Sequence, residues 1–287
     1  MATDINRTTS IALPGEVSSE ILQKTQESSA VMSLAQQIKL PGLGVTIPVI
    51  TGDPEAAWVA ETAKKPVKRG TLDTKIMQPY TLAVIVPFSN QFRRDAPALY
   101  KQLVSRLPLA LAQKFDATVF GGVTAPGDNF DTLKTCTAQE IGTDAYAGLV
   151  AADADIADHN GILNGWVLSP KGKALLLNAV DANKRPLFIN SVAEGAVPMI
   201  LGSKTLQSKG AYVTGTPNVV GFAGDWTQAM YGTVEGVQIA IADQATLQDG
   251  ENTINLFQQN MFAVRAEIEV GFRCDTTVFN KLTKAAG

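Results

Sequence analysis

Cysteine and histidine are scarce in this chain: Cys136, Cys274 and a single His159 among 287 residues. Two cysteines cannot build a disulfide framework, and with one histidine they are too few for the common structural zinc centres. A Ser–His–Asp triad would have to recruit His159, and no serine stands in a nucleophile-elbow pattern. A basic surplus is missing too. The chain has 24 Lys+Arg against 27 Asp+Glu, a formal net charge of −3, so it lacks the cationic excess that grips nucleic acid through counterion release. No apolar run approaches the about 18 residues of a membrane-spanning helix, and Met1 is not followed by the basic and then apolar pattern of a secretory leader. Phosphate cradles are lacking as well. Gly42-Leu43-Gly44 has no third glycine and no following helix pattern, and Gly202-Ser203-Lys204-Thr205 has no glycine-rich stretch upstream, so both read as turns. These absences lean away from an enzyme and from any cofactor.

What is present describes a folded protein. Hydrophobic residues make up 45% and charged residues 18%, which excludes wholesale disorder. The length suggests roughly two domains and suffices to bury a sizeable core without staples.

The N-terminal part reads as an arm. Val17, Ile21 and Leu22 fall at helical spacing in a polar context, and residues 31–38 form a second short apolar stretch before the breakers at Pro41 and Gly42. Neither helix is long enough to stand alone in water, so the arm must pack on something else. Residues 45–50 and 71–77 read as two strands of a long polar hairpin, with Pro48 marking an edge; such a hairpin is marginal by itself and should lie on a neighbour. Between them, Lys64, Lys65, Lys68 and Arg69 form a basic run without interleaved aromatics, suited to a partner's carboxylates or to solvent rather than to nucleic acid.

Residues 81–88 alternate with apolar residues on both faces, predicting a strand covered on both sides. Asp95 and Pro97 then open a helix over about 96–120, with Leu99, Leu103, Leu107, Leu111, Phe115 and Val119 along one stripe. Pro108 predicts a kink or break near Val104, and Gly121-Gly122 the end. A loop over 123–140, a helix over 144–158 and a buried strand at 166–168 follow. Ser169-Pro170 caps a helix with its body at 174–180. Short strands are expected at 186–190, 198–201 and 211–222, and a strand–turn–strand region from Gly224 to Thr246. From Phe262 to Phe272, Phe262, Val264, Ala266, Ile268, Val270 and Phe272 alternate with Ala263, Arg265, Glu267, Glu269 and Gly271. That pattern predicts a long strand with one buried and one charged face.

The only cluster with metal-ligand residue types is Asp153, Asp155, Asp158 and His159. All four fall on one helix with no convergent second segment, so the cluster reads as a solvated acidic face and no metal site is expected.

Several of these strings, in this order and spacing, resemble the major capsid proteins of tailed phages with the HK97-type fold. They are Ala57-Trp58-Val59-Ala60-Glu61, Tyr80-Thr81-Leu82-Ala83-Val84-Ile85-Val86-Pro87-Phe88-Ser89, Asn164-Gly165-Trp166-Val167-Leu168-Ser169-Pro170, Gly221-Phe222-Ala223-Gly224-Asp225-Trp226, and the stretch 260–282. The resemblance implies an α+β fold with an N-arm (1–48), an E-loop hairpin lying on an adjacent subunit (49–79), a peripheral domain (80–140 and 253–287, its spine helix about 96–120) and an axial domain (141–252). It also implies a homo-oligomer: pentamers and hexamers of an icosahedral shell enclosing double-stranded DNA without sequence-specific binding, with portal and decoration proteins as partners and no membrane. An encapsulin-like nanocompartment shell is the alternative. Some members of the family join an E-loop lysine to a neighbour's asparagine, with a glutamate as general base. Asn260 and Glu267 match the asparagine and glutamate positions, but the lysine position falls on Thr74 with Lys75 beside it. A one-residue slip turns a strand side chain to the other face, so no cross-link is expected unless the loop bulges. The arm begins near Met1, which implies a separate scaffolding protein.

Overall fold

The computed structural model describes residues 29–52, 58–59, 71–90, 96–181, 183–188, 199–250 and 252–284. Its longest strand is β14, Met261–Cys274, in the alternating segment identified above. Phe262, Val264, Ala266, Ile268, Val270 and Phe272 are all buried, while Arg265 and Glu269 are exposed. β14 organises a five-stranded sheet. Along one edge it pairs antiparallel with β4, Tyr80–Ser89, from Val270↔Tyr80 to Met261↔Ser89. Its other edge takes two strands in tandem: β10, Ala229–Thr233, against residues 270–274, and β11, Gln238–Ala242, against residues 263–267. β1, Gln36–Lys39, adds in parallel to β10 and so ties the arm to the sheet.

Helix α2, Ala96–Val119, lies across the inner face of this sheet. Leu107 and Leu111 join Phe262, Val264, Ala266 and Ile268 in one core cluster, and Phe115 meets Phe272 and Phe130 edge-on. The helix runs on through Pro108 without the break expected near Val104. Proline forfeits one intrahelical hydrogen bond there, and the burial of Leu107 and Leu111 on the same face outweighs that loss. The helix ends as read. Gly121 turns to φ +78°, its amide donates to Thr118 and the Gly122 amide donates to Ala117, which closes a Schellman motif. Asp95, the expected cap, lies outside the described residues.

A six-stranded sheet holds the rest. Its order is β5 (Thr137–Glu140), β15 (Phe279–Lys284), β9 (Asn218–Gly224), β6 (Gly165–Leu168), β8 (Ser203–Gln207) and β7 (Met199–Ile200). β6 is buried on both faces: Val167 enters the core shared with α2, while Trp166 and Leu168 enter a second core with α3, Ala145–Asp158. Asp144 caps α3 through the Ala147 amide at 3.0 Å, and Ser169 caps α4, Pro170–Leu177, through the Gly172 amide at 3.0 Å. Helix α1, Ala30–Leu34, precedes β1 and packs its Ala30, Val31 and Met32 into the core beside Phe115.

Several expectations need correction. β5 lies inside the stretch read as loop, because its four residues carry no apolar alternation. α4 stops at Leu177 instead of reaching Val180, which bridges Pro186. Ser203 begins β8, not a turn, and the strand expected from 211 begins only at Asn218, after a 3₁₀ turn at Lys209–Ala211. Thr81, Ala83 and Ile85 on the second face of β4 are exposed in the single chain instead of covered, since no element of the subunit among the described residues packs over them. The two sheets also interleave along the sequence. β10 and β11 come from within 141–252 yet join the sheet of β14, while β5 and β15 come from within 80–140 and 253–287 yet join the other sheet.

Two hairpins leave these sheets. β2, Val45–Gly52, pairs with β3, Thr71–Met77, with a register shift between Ile50 and Gly52. β12, Thr246–Asp249, pairs with β13, Asn252–Asn255, just before the exposed Phe257.

Candidate functional site

The hairpin of β2 and β3 is held at its base by a small polar clasp. Met77, wholly buried, fits a notch floored by Gly232 and Gly271. A Cβ on Gly232 would lie 2.8 Å from the Met77 sulfur, and one on Gly271 2.6 Å from the Gln78 carbonyl oxygen, so both positions need glycine for space. Beside the notch, Arg273 at the end of β14 donates to the Ile76 carbonyl (2.8 Å), Asp131 Oδ1 (2.7 Å) and Asn129 Oδ1 (2.7 Å). The Cys274 amide donates to Asp131 Oδ2 at 3.1 Å, and Lys75 Nζ donates to the Cys274 carbonyl at 2.8 Å and lies 3.5 Å from Asp131. One carboxylate thus receives an arginine, a lysine and a backbone amide. Charge-assisted bonds of this kind, partly shielded from water, fix the direction in which the hairpin leaves the body.

Neither Arg273 nor Asp131 was singled out from the sequence. Arg273 continues the outward alternation of Arg265, Glu267, Glu269 and Gly271 by one step, which is a signal; Asp131 lies in a loop without one.

The residues that were singled out are dispersed in the subunit. Lys75 is engaged in the clasp and pairs with Ile47 across the hairpin, while Thr74 pairs with Pro48. The register shift falls on the β2 side, away from Thr74 and Lys75. Asn260 sits at φ +53°, and its Oδ1 accepts from Asn90 Nδ2 at 2.9 Å. Glu267 lies seven residues further along the chain, roughly 20 Å away at the strand rise, where it accepts from Arg265 at 3.3 Å. His159 Nδ1 lies 2.7 Å from the carbonyl oxygen of Asp155, on the exposed end of α3 with Asp153 and Asp158. Among the described residues no group of three or more His, Cys, Asp or Glu is arranged to hold a metal ion. The basic run at 64–69 lies outside the described residues.

The open face of the five-stranded sheet is the other candidate surface. Ile85 is 49% exposed beside Ala83 and Arg265, and a groove of about 140 Å³ runs past Thr81, Glu235, Gln238, Glu267 and Glu269. The hairpin ahead of it carries Trp58 with no cover at all. An exposed tryptophan and an apolar, acidic sheet face in one subunit are features of a surface made for contact.

Of the two cysteines, Cys274 enters the clasp through its backbone amide and carbonyl. Both are buried and free, and burial pushes the Cys136 thiol up to about 12 from its ordinary 9.0. The folded value lies above the unfolded one, so stability held by the neutral thiol is present below about pH 9 and is lost as pH rises toward 12. Thermal melts over that interval should fall less steeply for Cys136→Ala than for the parent; parallel curves would show that this thiol does not contribute.

Comparison with known proteins agrees with these surfaces. The pattern of the phage capsid family matches residues 9–275. The chain is 31% identical over 294 residues to the probable major capsid protein gp17 of Mycobacterium phage L5, covering 94% of this chain and 89% of that protein. It is 24% identical over 289 residues to the major capsid protein of Staphylococcus phage 80alpha, covering 95% and 85%. A solved chain from Gordonia phage Cozz superposes with a TM-score of 0.73 at 20% identity, over 90% of this chain and 87% of that one. A chain from the capsid of a native GTA particle superposes at 0.64 and 17% identity, over 90% and 91%. The architecture is the α+β, HK97-like fold, and these matches do not favour the encapsulin-like alternative. Joined to the family match over most of its length, the anchored hairpin and the open sheet face give the conclusion that the chain belongs to the phage capsid family.

Proposed function

We propose that this chain is a major capsid protein whose copies form the pentamers and hexamers of an icosahedral head around double-stranded DNA. The observation that carries the reading is the clasped hairpin: an extended element held at its base, with an uncovered tryptophan beyond, suits a role where neighbours complete it. The sheet of β14 with α2 would be the peripheral domain and the six-stranded sheet with α3 and α4 the axial domain, preceded by the N-arm and the E-loop. The basic run of Lys64, Lys65, Lys68 and Arg69 suits the carboxylates of Glu235, Glu267 and Glu269 on a neighbour's open face. A net charge of −3 suits a wall that releases its genome. Assembly would take place in the host cytoplasm with a separate scaffolding protein, and portal and decoration proteins would complete the virion.

The contacts would be noncovalent, since Lys75 is committed to the Cys274 carbonyl and Asp131. Expression of the protein alone and with its scaffold, followed by negative-stain imaging and native mass measurement, tests the reading. Closed shells or rings of five and six subunits are expected, dissociating to single-chain bands when boiled in detergent. A ladder of linked chains would restore the cross-link, a small shell enclosing protein cargo would restore the nanocompartment, and a discrete monomer or dimer under every condition would remove the capsid role.

A further inference from the structure

Asp116 stands on α2 directly after Phe115 and is 1% exposed. Its carboxylate is met from two places distant in sequence. Ser29 Oγ donates to it at 2.6 Å, and the amides of Ala30 and Val31 at 3.1 and 3.4 Å; Ser208 Oγ donates at 2.6 Å. Each serine is also a cap. Ser29 Oγ accepts from the Met32 amide at 3.1 Å to open α1, and Ser208 Oγ accepts from the Gly210 amide at 3.2 Å to open the 3₁₀ turn. Gly210 permits the approach, since a Cβ there would come within 3.0 Å of the Asp116 Cβ. Among the described residues no charged side chain offsets the burial. Desolvation pushes the carboxyl up, and only the hydroxyls and amides of Ser208, Ser29, Ala30 and Val31 pull it down; Lys209 and Lys114 nearby are exposed to solvent.

We propose that Asp116 is a positioning residue that couples the docking of the N-terminal arm to the placement of the Ser208 turn, which leads from β8 to β9. Both serine hydroxyls donate to the carboxylate. That orients their lone pairs toward the Met32 and Gly210 amides. Two amide–hydroxyl–carboxylate chains share one anchor and polarise each other through it. When one serine lets go, the carboxylate loses a donor in a dry site, and its hold on the other weakens. Among the described residues, Asp116 bonds both the start of the arm's helix and the Ser208 turn, so the position of one is read by the other across α2. The inference concerns the single subunit and stands whether or not shells form.

Hydrogen exchange on the full-length chain tests it. Ser208→Ala removes the bond to Asp116 and the cap on Gly210, and through Asp116 it should speed exchange at the Met32 and Ser33 amides by about threefold to tenfold, the equivalent of roughly 1 kcal/mol. Combined with Ser29→Ala, the two effects should multiply to less than their product. Asp116→Asn keeps one acceptor oxygen and should retain part of the protection that Asp116→Leu loses. Unchanged exchange in Ser208→Ala, strict multiplication in the double variant, or equal losses in the Asn and Leu variants would each overturn the coupling. Should Asp116→Leu not fold, the two serine variants decide the matter alone.

Discussion

Replacing Phe272 with alanine is expected to destabilise the subunit by about 3–5 kcal/mol, which lowers its melting temperature by roughly 6–20 °C at this chain length. Phe272 is fully buried at the point where β14, β10 and α2 converge. Its ring lies 6.3 Å from that of Phe115 in an edge-on pair and 6.0 Å from that of Phe130, which in turn meets Tyr80 at 6.2 Å. Truncation removes a whole ring from the middle of that group and leaves a cavity walled by the helix on one side and the paired strand on the other. Neither wall can collapse freely, because Tyr231↔Phe272 is a ladder position. Phe272→Leu should cost much less, about 1–2 kcal/mol, since most of the volume stays filled. Chemical denaturation of the unassembled protein measures both. A loss below about 1 kcal/mol for Phe272→Ala would mean that the core does not depend on this cluster.

Arg273→Ala has the larger consequence for assembly. Only 11% of the Arg273 side chain is exposed, and Asp131 retains 19%. Without the guanidinium, the Ile76 carbonyl and Asn129 Oδ1 lose their donor, and Asp131 keeps only the Cys274 amide and the more distant Lys75. We expect a destabilisation of about 2–3 kcal/mol, below the cost of breaking a fully buried pair because water reaches both partners. The hairpin would lose its fixed exit direction, so closed shells should give way to free subunits or irregular aggregates. Trypsin should also cut faster at Lys64, Lys68 and Arg69. Arg273→Lys should not restore assembly, since an ammonium cannot span three acceptors in one plane. Sedimentation and timed proteolysis give the readout. Full-sized shells with unchanged cleavage from Arg273→Ala would remove the clasp from the argument.

The comparison of sequence with structure turns on where the information is local. β14, the stripe on α2 and the cap Ser169 were legible because each depends on residues a few positions apart: a period of two, a period near 3.6, or a side chain bonding an amide within its own first turn. β5 and β8 were not, since edge and partly polar strands gain their structure from partners far along the chain. The break at Pro108 failed to appear for a related reason. The local rule counts one lost hydrogen bond and knows nothing of the sheet beneath Leu107 and Leu111.

The functional residues divide the same way. Lys75, Asn260 and Glu267 could be named from linear position, but their surroundings could not, and in the subunit they lie apart. Arg273 with Asp131, and Asp116 with Ser29 and Ser208, draw their roles from groups up to 197 residues away in the chain, as with Arg273 and Ile76. By itself the sequence determined the class of fold, the strands and helices with strong periods, and the scarcity of cysteine and histidine. Tertiary structure alone decided which strands share a sheet, which glycines floor the hairpin's seat and which carboxylates hold distant segments together. Periodicity is a property of neighbours on the chain, whereas a buried carboxylate finds its donors only after the chain has closed around it.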